Sequence, residues 1–482
     1  MHISLFDIGS LIFFFHWLGL FAGCHALLNA RTSQGAIAWA FALFTFPYFS
    51  LLPYLFLGSS RFRGYVDLRR RGTNYVRAVT NLNSANQHQV IKIKSIVSPQ
   101  NKETINQEFL NALQRLSGIP LTTGNHVRLL INGTETFNAI FNAIAAAQSY
   151  IFLQSFIIAD DPLGQKIADA LIAAAQRKIK VYVLYDGIGS HQLSKRYIQS
   201  LKKANVEIAA FATQRFINRF QLNFRNHRKL IIIDGQTAFV GGLNISQQYL
   251  GFIPPLSPWR DTHTEIRGPA IEYLQLTFLE DWYWANQTIL KVIQPASKQG
   301  TMHCQAIASG PADSQETCLL FFVAAINAAK NRLWITSPYF IPDEAIFSAL
   351  QLAVLRGVDV RIIIPSRRDH RVVFAASTSY AHEAVRKGIK VYRYQPGFIH
   401  QKVLLIDDYA AAVGSPNLDN RSFRLNFELT VLTVDFDFAS EVKNMLEHDL
   451  SQSILIKVED FYSKKWIRRT LNQLARIFSP IL

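Results

Sequence analysis

Cysteine is scarce in this chain: only Cys24, Cys304 and Cys318 occur in 482 residues. Three thiols exclude a disulfide scaffold and any cysteine-rich metal site. His303 beside Cys304 lacks metal-ligand spacing and reads as structural. Acidic residues are also in short supply, with 34 Asp and Glu against 50 Lys and Arg, a net charge of +16 and a pI near 9.7. That imbalance points to a polyanionic partner, nucleic acid or an anionic lipid surface, and charge alone does not choose between them.

Charge is missing altogether from residues 8–28 and 36–57. A helix crossing the hydrocarbon core needs about 20 apolar residues, and both runs reach that length. The short polar stretch 29–35 between them predicts a two-helix transmembrane hairpin within residues 1–60. No basic stretch precedes the first run and a second follows at once, which argues against a cleaved signal peptide. Pro47 and Pro53 imply a kink in the second run, and His16 and His25 are expected at an interface or a helix contact. Arg61, Arg63, Arg69, Arg70 and Arg71 crowd the exit of the second run, against Arg31 alone in the loop. The positive-inside tendency therefore places the remainder of the chain in the cytoplasm.

From about residue 126 the sequence runs twice through one plan. AIAAAQSYIFLQSFIIADD, from Ala143, is matched by AINAAKNRLWITSPYFIPDE, from Ala325. A helix-like stretch and a strand around Val181 are matched around Val360, and a third unit near Val206 is matched near Val391. Strands alternating with helices predict an α/β fold with a parallel or mixed sheet. The division expected is a hairpin (1–60), a basic connector (61–125), and two domains, 126–297 and 298–482. Two similar halves most simply pack face to face about a pseudo-twofold axis, so that the loops closing each half meet.

Those loops carry the chemistry. HRKLIIIDGQTAFVGGLN and HQKVLLIDDYAAAVGSPN both fit H-x-K-x4-D-x6-G-[GS]-x-N. Two copies at one internal spacing are not a chance match. In an extended H-x-K the two side chains share a face, because the side-chain period is two, and the apolar run after each lysine anchors a buried strand. The candidate catalytic set is His227, Lys229 and Asp234 with His400, Lys402 and Asp407. Asp234 and Asp407 fall on the opposite strand face and are expected to order the loop rather than react. Asn244 and Asn417 are candidate phosphate donors beside the lysines, and Gly241, Gly242, Gly414 and Ser415 allow close backbone approach.

This set contains no carboxylate cage for a divalent metal, so neither metal nor other cofactor is expected. It suits a phosphodiester anion. Lysine and asparagine stabilise charge on the non-bridging oxygens, while one histidine attacks phosphorus and the other shuttles the proton, work worth typically 10²–10⁴-fold. Glu428, on a returning strand 28 residues after His400, is expected to orient that imidazole. Asp261 is the corresponding candidate for His227, with His263 as the alternative there.

At these residues the chain resembles the phospholipase D superfamily and, more narrowly, the bacterial cardiolipin synthases. The likeness extends over RNHRKLIIIDG, PWRDTHTEIRGPA, ITSPYFIPD, HQKVLLID and VGSPNLDNRSFRLNFE. It implies two phospholipase D-type α/β/α domains and a transphosphatidylation: one phosphatidylglycerol gives its phosphatidyl group to a histidine, and a second accepts it to form cardiolipin. It further implies His227 as nucleophile and His400 as acid/base. Phosphatidylglycerol and anionic membrane lipids are the expected partners, with no nucleic acid. Arg215, Arg219 and Arg225 are either headgroup ligands or a solvated basic face. Trp466, Leu471, Leu474 and Ile477 among Lys464, Lys465, Arg468, Arg469 and Arg476 read as an interfacial amphipathic helix. A hydrolytic phospholipase D, a synthase using another acceptor and a membrane-bound nuclease share the motif and remain open on sequence.

Overall fold

The computed structural model describes residues 5–30, 33–58, 107–211, 223–290, 296–462 and 466–481. Arg31, the arginines from 61 to 71, Arg215, Arg219, Lys464 and Lys465 lie outside the described residues, and so do the readings placed on them.

An uninterrupted apolar run forms one helix, α1, over Leu5–Asn29. Its stretch Gly9–Asn29 is long and apolar enough to cross a membrane. The second run behaves differently. It divides into α2 (Ser33–Thr45) and α3 (Pro47–Leu57), with Phe46 leaving helical geometry at φ −132°, ψ 58° and Pro47 opening the next helix, where its missing N–H is harmless. The chain reverses at this break. The rings of Trp39 and Tyr54 have centroids 5.1 Å apart, whereas a continuous helix would separate these positions by about 22 Å. Tyr54 also bonds His25 of α1 at 2.7 Å, and Tyr48 bonds His16 at 3.0 Å. Close approach of α2 to α1 depends on Gly19 and Gly23, whose absent Cβ atoms would stand 2.4 Å from the Leu43 carbonyl and 2.1 Å from the Phe44 ring. The expected second span over 36–57 is therefore corrected to a helical hairpin. At 13 residues α2 is about 20 Å long, short of the roughly 30 Å hydrocarbon core.

The rest is a mixed α/β fold. The first half supplies β1 (Thr122–Ile131), β2 (Tyr150–Ser155), β3 (Lys180–Tyr185), β4 (Glu207–Ala210), β5 (Arg225–Asn226), β6 (Leu230–Ile233), β7 (Thr237–Gly241), β8 (Trp259–Arg260) and β9 (Thr262–Arg267). The second supplies β10 (Met302–Ser309), β11 (Arg332–Thr336), β12 (Phe340–Ile341), β13 (Asp359–Pro365), β14 (Lys390–Tyr394), β15 (Phe398–Ile399), β16 (Val403–Ile406), β17 (Ala410–Gly414), β18 (Leu418–Asp419), β19 (Asn426–Val434) and β20 (Ser453–Leu455). Outward from β1 the order is β9-β7-β6-β2-β3-β4, and outward from β10 it is β19-β17-β16-β11-β13-β14-β20.

β1 joins the halves. Its first residues pair with β10 and His126–Ile131 pair with β9, with a register shift between Thr123 and Asn125. Gly124, at φ +92°, supplies the left-handed residue this bend requires. The sheet folds over there, bringing β17 and β19 against β7 and β9. Val240 and Ile266 of one half share a single core with Val413 and Val431 of the other. Two outer cores, one per half, lie under the flanking helices. The connector departs from its expectation at its end: Gln107–Ser117 is an amphipathic helix, and its Phe109, Leu110 and Leu113 pack into the core of the second half rather than the first. At the C-terminal end, Trp466–Ala475 is a helix on which Trp466, Ile467, Leu471 and Leu474 stay exposed while Ala475 is buried.

Candidate active site

Two small parallel ladders cross between the halves and set the site. β5 pairs with the start of β19, Asn226 opposite Phe427, and the next residue, His227, donates its N–H to the Phe427 carbonyl at 2.9 Å. β15 pairs with β8, Ile399 opposite Arg260, and His400 donates its N–H to the Arg260 carbonyl at 2.7 Å. Each histidine thus hangs from a strand of the opposite half. The residue that follows on that foreign strand is its carboxylate partner.

The orienting pairs are consequently crossed. His227 Nδ1 lies 2.9 and 3.1 Å from the two oxygens of Glu428, and His400 Nδ1 lies 2.7 Å from Asp261 Oδ2. This corrects the expectation that Glu428 serves His400 and Asp261 serves His227: β19 rejoins its own half through β10 and β17, but its first residues also pair with β5, and β8 pairs with β15, so each carboxylate meets the histidine of the other half. His263 has a different task, accepting the Leu243 N–H at 3.3 Å. The H-x-K segments are not strands either; regular pairing resumes only at Leu230 and Val403.

Lys229 Nζ donates to the His227 carbonyl at 2.7 Å and lies 5.3 Å from the centre of the Phe156 ring. Lys402 donates to the His400 carbonyl and also lies 3.1 Å from His400 Nε2. The asparagines are partly engaged: Asn244 donates to Tyr249 Oη at 2.8 Å and accepts the Ile157 N–H at 3.2 Å, while Asn417 donates to Asp419 at 3.1 Å. Each carboxamide keeps a second N–H. Asp234 accepts three backbone N–H groups, from Gln148, Ser149 and Tyr150, and Asp407 accepts those of Lys330, Asn331 and Arg332. Both aspartates sit at positive φ in the hairpin turns after β6 and β16 and tie those turns to the neighbouring strand.

The one difference in the motif's small pair has a cause. A Cβ on Gly242 would stand 2.1 Å from Asp261 Oδ1, whereas Ser415 at the corresponding place donates its hydroxyl to Glu428. The shorter carboxylate reaches the motif backbone only over a glycine.

Electrostatics divide the groups sharply. Burial raises the Glu428 carboxyl, but His227 and Lys229 outweigh it and hold it down at about 2. Burial opposes ionisation of Asp261 too, and His400 and Lys402 bring it well below the usual range. Burial lowers His227, with Lys229 and Lys402 adding to the effect against Glu428. Burial and Lys402 bring His400 to about 4, with Lys229 contributing. Each imidazole therefore feels the lysine of the other half. Burial also drops Lys229 to about 7 and Lys402 to about 8. At neutral pH two carboxylates hold two neutral imidazoles by Nδ1–H, leaving Nε2 as the reactive atom, while Lys402 is mostly and Lys229 partly protonated, so an incoming anion finds one charge in place and completes the other.

Braces missed by the sequence reading lie behind the carboxylates. Buried Arg228 pairs with Asp281 at 2.8 Å and donates to the Glu428 carbonyl at 3.1 Å. Arg260 pairs with both oxygens of Asp449, at 2.8 and 2.9 Å, and donates to the Asp261 carbonyl at 2.7 Å. A signal was present: a lone aspartate follows each orienting carboxylate by about twenty residues, on an otherwise apolar helix face. Arg225, a candidate headgroup ligand, is half-buried and donates to the Phe224 carbonyl at 2.7 Å.

Comparison with known proteins shows the family. The family described as cardiolipin synthase, PLD-like domain, matches residues 140–253 and 322–450, one copy of the motif in each match. Cardiolipin synthase A of Pseudomonas putida (strain W619) is 50% identical over 482 residues, 99% of either chain. That of Pseudomonas aeruginosa (strain LESB58) is 50% identical over 478 residues, covering 98% of this chain and 96% of its own. The solved phosphatidylserine synthase of Haemophilus influenzae Rd KW20 superposes with a TM-score of 0.60 at 15% identity, over 78% of this chain and 100% of that one, a likeness of fold.

Proposed function

The chain belongs to the cardiolipin synthases of the phospholipase D-like family, and from that premise we propose how its residues divide the transfer of a phosphatidyl group between two phosphatidylglycerol molecules. The fold is read as two pseudo-twofold-related domains, about 126–297 and 298–482, sharing one site. His227 Nε2 attacks the phosphorus of the first lipid. The P–O bond to glycerol breaks, and His400 delivers a proton to the departing oxygen. The anionic phosphodiester, added to Asp261, supplies the charge that lets His400 hold that proton. His400 then takes the proton from the terminal hydroxyl of a second phosphatidylglycerol. That oxygen bonds to phosphorus as the P–Nε2 bond breaks, giving cardiolipin. Lys229, Lys402 and the remaining N–H of Asn244 and Asn417 stabilise the non-bridging oxygens.

The observation that carries this reading is the crossed pairing of His227 with Glu428 and His400 with Asp261. It ties both imidazoles to one seam and leaves an Nε2 on each. One asymmetry favours His227 as nucleophile: Lys402 Nζ lies 3.0 and 3.1 Å from the two ring nitrogens of His400, whereas Lys229 Nζ bonds the His227 carbonyl. Phosphatidylglycerol labelled in its headgroup, given to the purified enzyme, should yield free labelled glycerol and cardiolipin in step. Phosphatidic acid without cardiolipin would overturn the synthase reading.

For the membrane, we read α1 as the single crossing and α2–α3 as a hairpin that enters and leaves by one face. The supporting contacts are Trp39 with Tyr54 and His25 with Tyr54. The basic residues from Arg61 to Arg71 then share a side with the catalytic part, and the positive-inside tendency makes that side cytoplasmic. The exposed apolar face of Trp466–Ala475 suits rest on the same leaflet.

A further inference from the structure

The two sides of the site are unlike in one respect that the paired motif does not demand. After β2 the Ser155 hydroxyl donates to the carbonyl of Ile157, as after β11 the Ser337 hydroxyl donates to that of Tyr339, so Tyr339 stands where the first half has an isoleucine; the Tyr339 hydroxyl donates to Asp369. This pair is bonded directly into the second motif. The Ser337 hydroxyl donates to the Tyr339 carbonyl at 2.7 Å and accepts the Leu418 N–H at 3.0 Å, and Phe340 and Ile341 pair with Leu418 and Asp419, just beyond Asn417. Tyr249, whose ring centre lies 6.0 Å from that of His400, faces the same region. The charge of Asp369 reaches both Tyr249 and Lys402, and that of Asp419 reaches Lys402 and Tyr339.

A carboxylate beside Lys402 repels a phosphodiester and weakens the very interaction the lysine makes. It is useful only if the ligand also presents hydrogen-bond donors there. Asp419 is accounted for otherwise, since it caps the helix Asn420–Arg424 through the Ser422 N–H and holds Asn417. Asp369 is not: one oxygen accepts the adjacent His370 N–H and the other the Tyr339 hydroxyl, leaving lone pairs for further donors. Asn417 Oδ1 is buried and has no donor among the described residues, so it too is open to a hydroxyl. The His400 side therefore offers acceptors for hydroxyl groups.

We propose that Tyr339 and Asp369 form a polyol subsite that binds the vicinal hydroxyls of the glycerol headgroup, holding the departing glycerol in the first transfer and the accepting phosphatidylglycerol in the second. The inference rests on the transferase reading above and deepens it. In-line displacement puts the leaving and entering alcohol opposite the nucleophile, beside the acid/base. An alcohol subsite on the His400 side thus agrees with His227 as the attacking residue.

The test uses partition of a shared intermediate. Full-length enzyme in mixed micelles of phosphatidylglycerol and detergent, given 1-butanol, makes cardiolipin and phosphatidylbutanol from the same phosphohistidine. Their ratio reports acceptor choice alone, whatever fraction of a variant is folded. Tyr339→Phe and Asp369→Asn should each lower the cardiolipin-to-phosphatidylbutanol ratio about tenfold, since a monohydric acceptor has no second hydroxyl to lose. An unchanged ratio, with both products reduced alike, would overturn the subsite. A wild-type enzyme transferring to neither acceptor would instead overturn the transferase reading itself.

Discussion

Glu428 belongs to the second half of the chain, yet its carboxylate holds Nδ1 of His227 in the first, at 2.9 Å. Asp261 returns the relation by holding His400 at 2.7 Å. Neither half owns a complete catalytic histidine. A buried imidazole without its carboxylate loses both its tautomer and its orientation.

Removing the charge of Glu428 should therefore resemble damage to His227. Glu428→Gln is expected to slow phosphoenzyme formation about 10²-fold or more, with little effect on how an existing intermediate partitions. Asp261→Asn should slow both transfers by impairing the proton shuttle at His400. Rapid-quench kinetics with labelled phosphatidylglycerol separates the two.

Gly242 and Ser415 occupy the same motif position but should not tolerate exchange. Gly242→Ser drives a Cβ to 2.1 Å from Asp261 Oδ1 and should abolish activity. Ser415→Gly removes one hydroxyl bond to Glu428 and should cost about 1.5–3 kcal/mol of local stability with much of the activity kept. Activity and thermal unfolding of the two purified variants check this.

Asp234→Asn and Asp407→Asn should act on stability. Each aspartate receives three backbone N–H groups, and an amide nitrogen turned toward them replaces attraction by repulsion. A loss of about 2–3 kcal/mol is expected, measured by urea unfolding of detergent-solubilised protein, with activity per folded molecule largely retained.

The lysines set a pH dependence. Lys229 at about 7 and Lys402 at about 8 lie below their unfolded value of 10.5. Between the folded and unfolded values the unfolded chain binds more protons, so these groups make stability rise with pH from about 7–8 toward 10.5. Anion binding runs the other way. Affinity for a soluble short-chain phosphatidylglycerol should fall above pH 8, and binding there should take up protons, read by calorimetry in buffers of different ionisation enthalpy.

The membrane segment yields a topological test. A tag at the N-terminal end of α1 and one after Leu482 should lie on opposite faces of vesicles in protease protection. Two spans would place them on the same face.

Much of this site was legible before any coordinates. The duplicated motif names His227, Lys229, His400 and Lys402, and the apolar runs LIII and VLLI mark β6 and β16. The partners of the histidines were legible as residues but not as pairs. The strand returning after the motif rejoins its own sheet and at its start also pairs across the seam, and the offset from His400 to Glu428 does not betray the second pairing. Hydropathy failed differently at residues 36–57. It counts apolar residues without sensing direction, and only Pro47 hinted that the chain turns back. Tyr339 carries no repeat signal, because an isoleucine, Ile157, stands in its place in the first half.

Rapid quenching of the enzyme during turnover of phosphatidylglycerol labelled at phosphorus, followed by peptide mapping, tests the shared site most directly. Label should appear on His227, vanish in His227→Ala, and neither His227→Ala nor His400→Ala should make cardiolipin. Label on His400, or full synthesis after loss of either histidine, would contradict it.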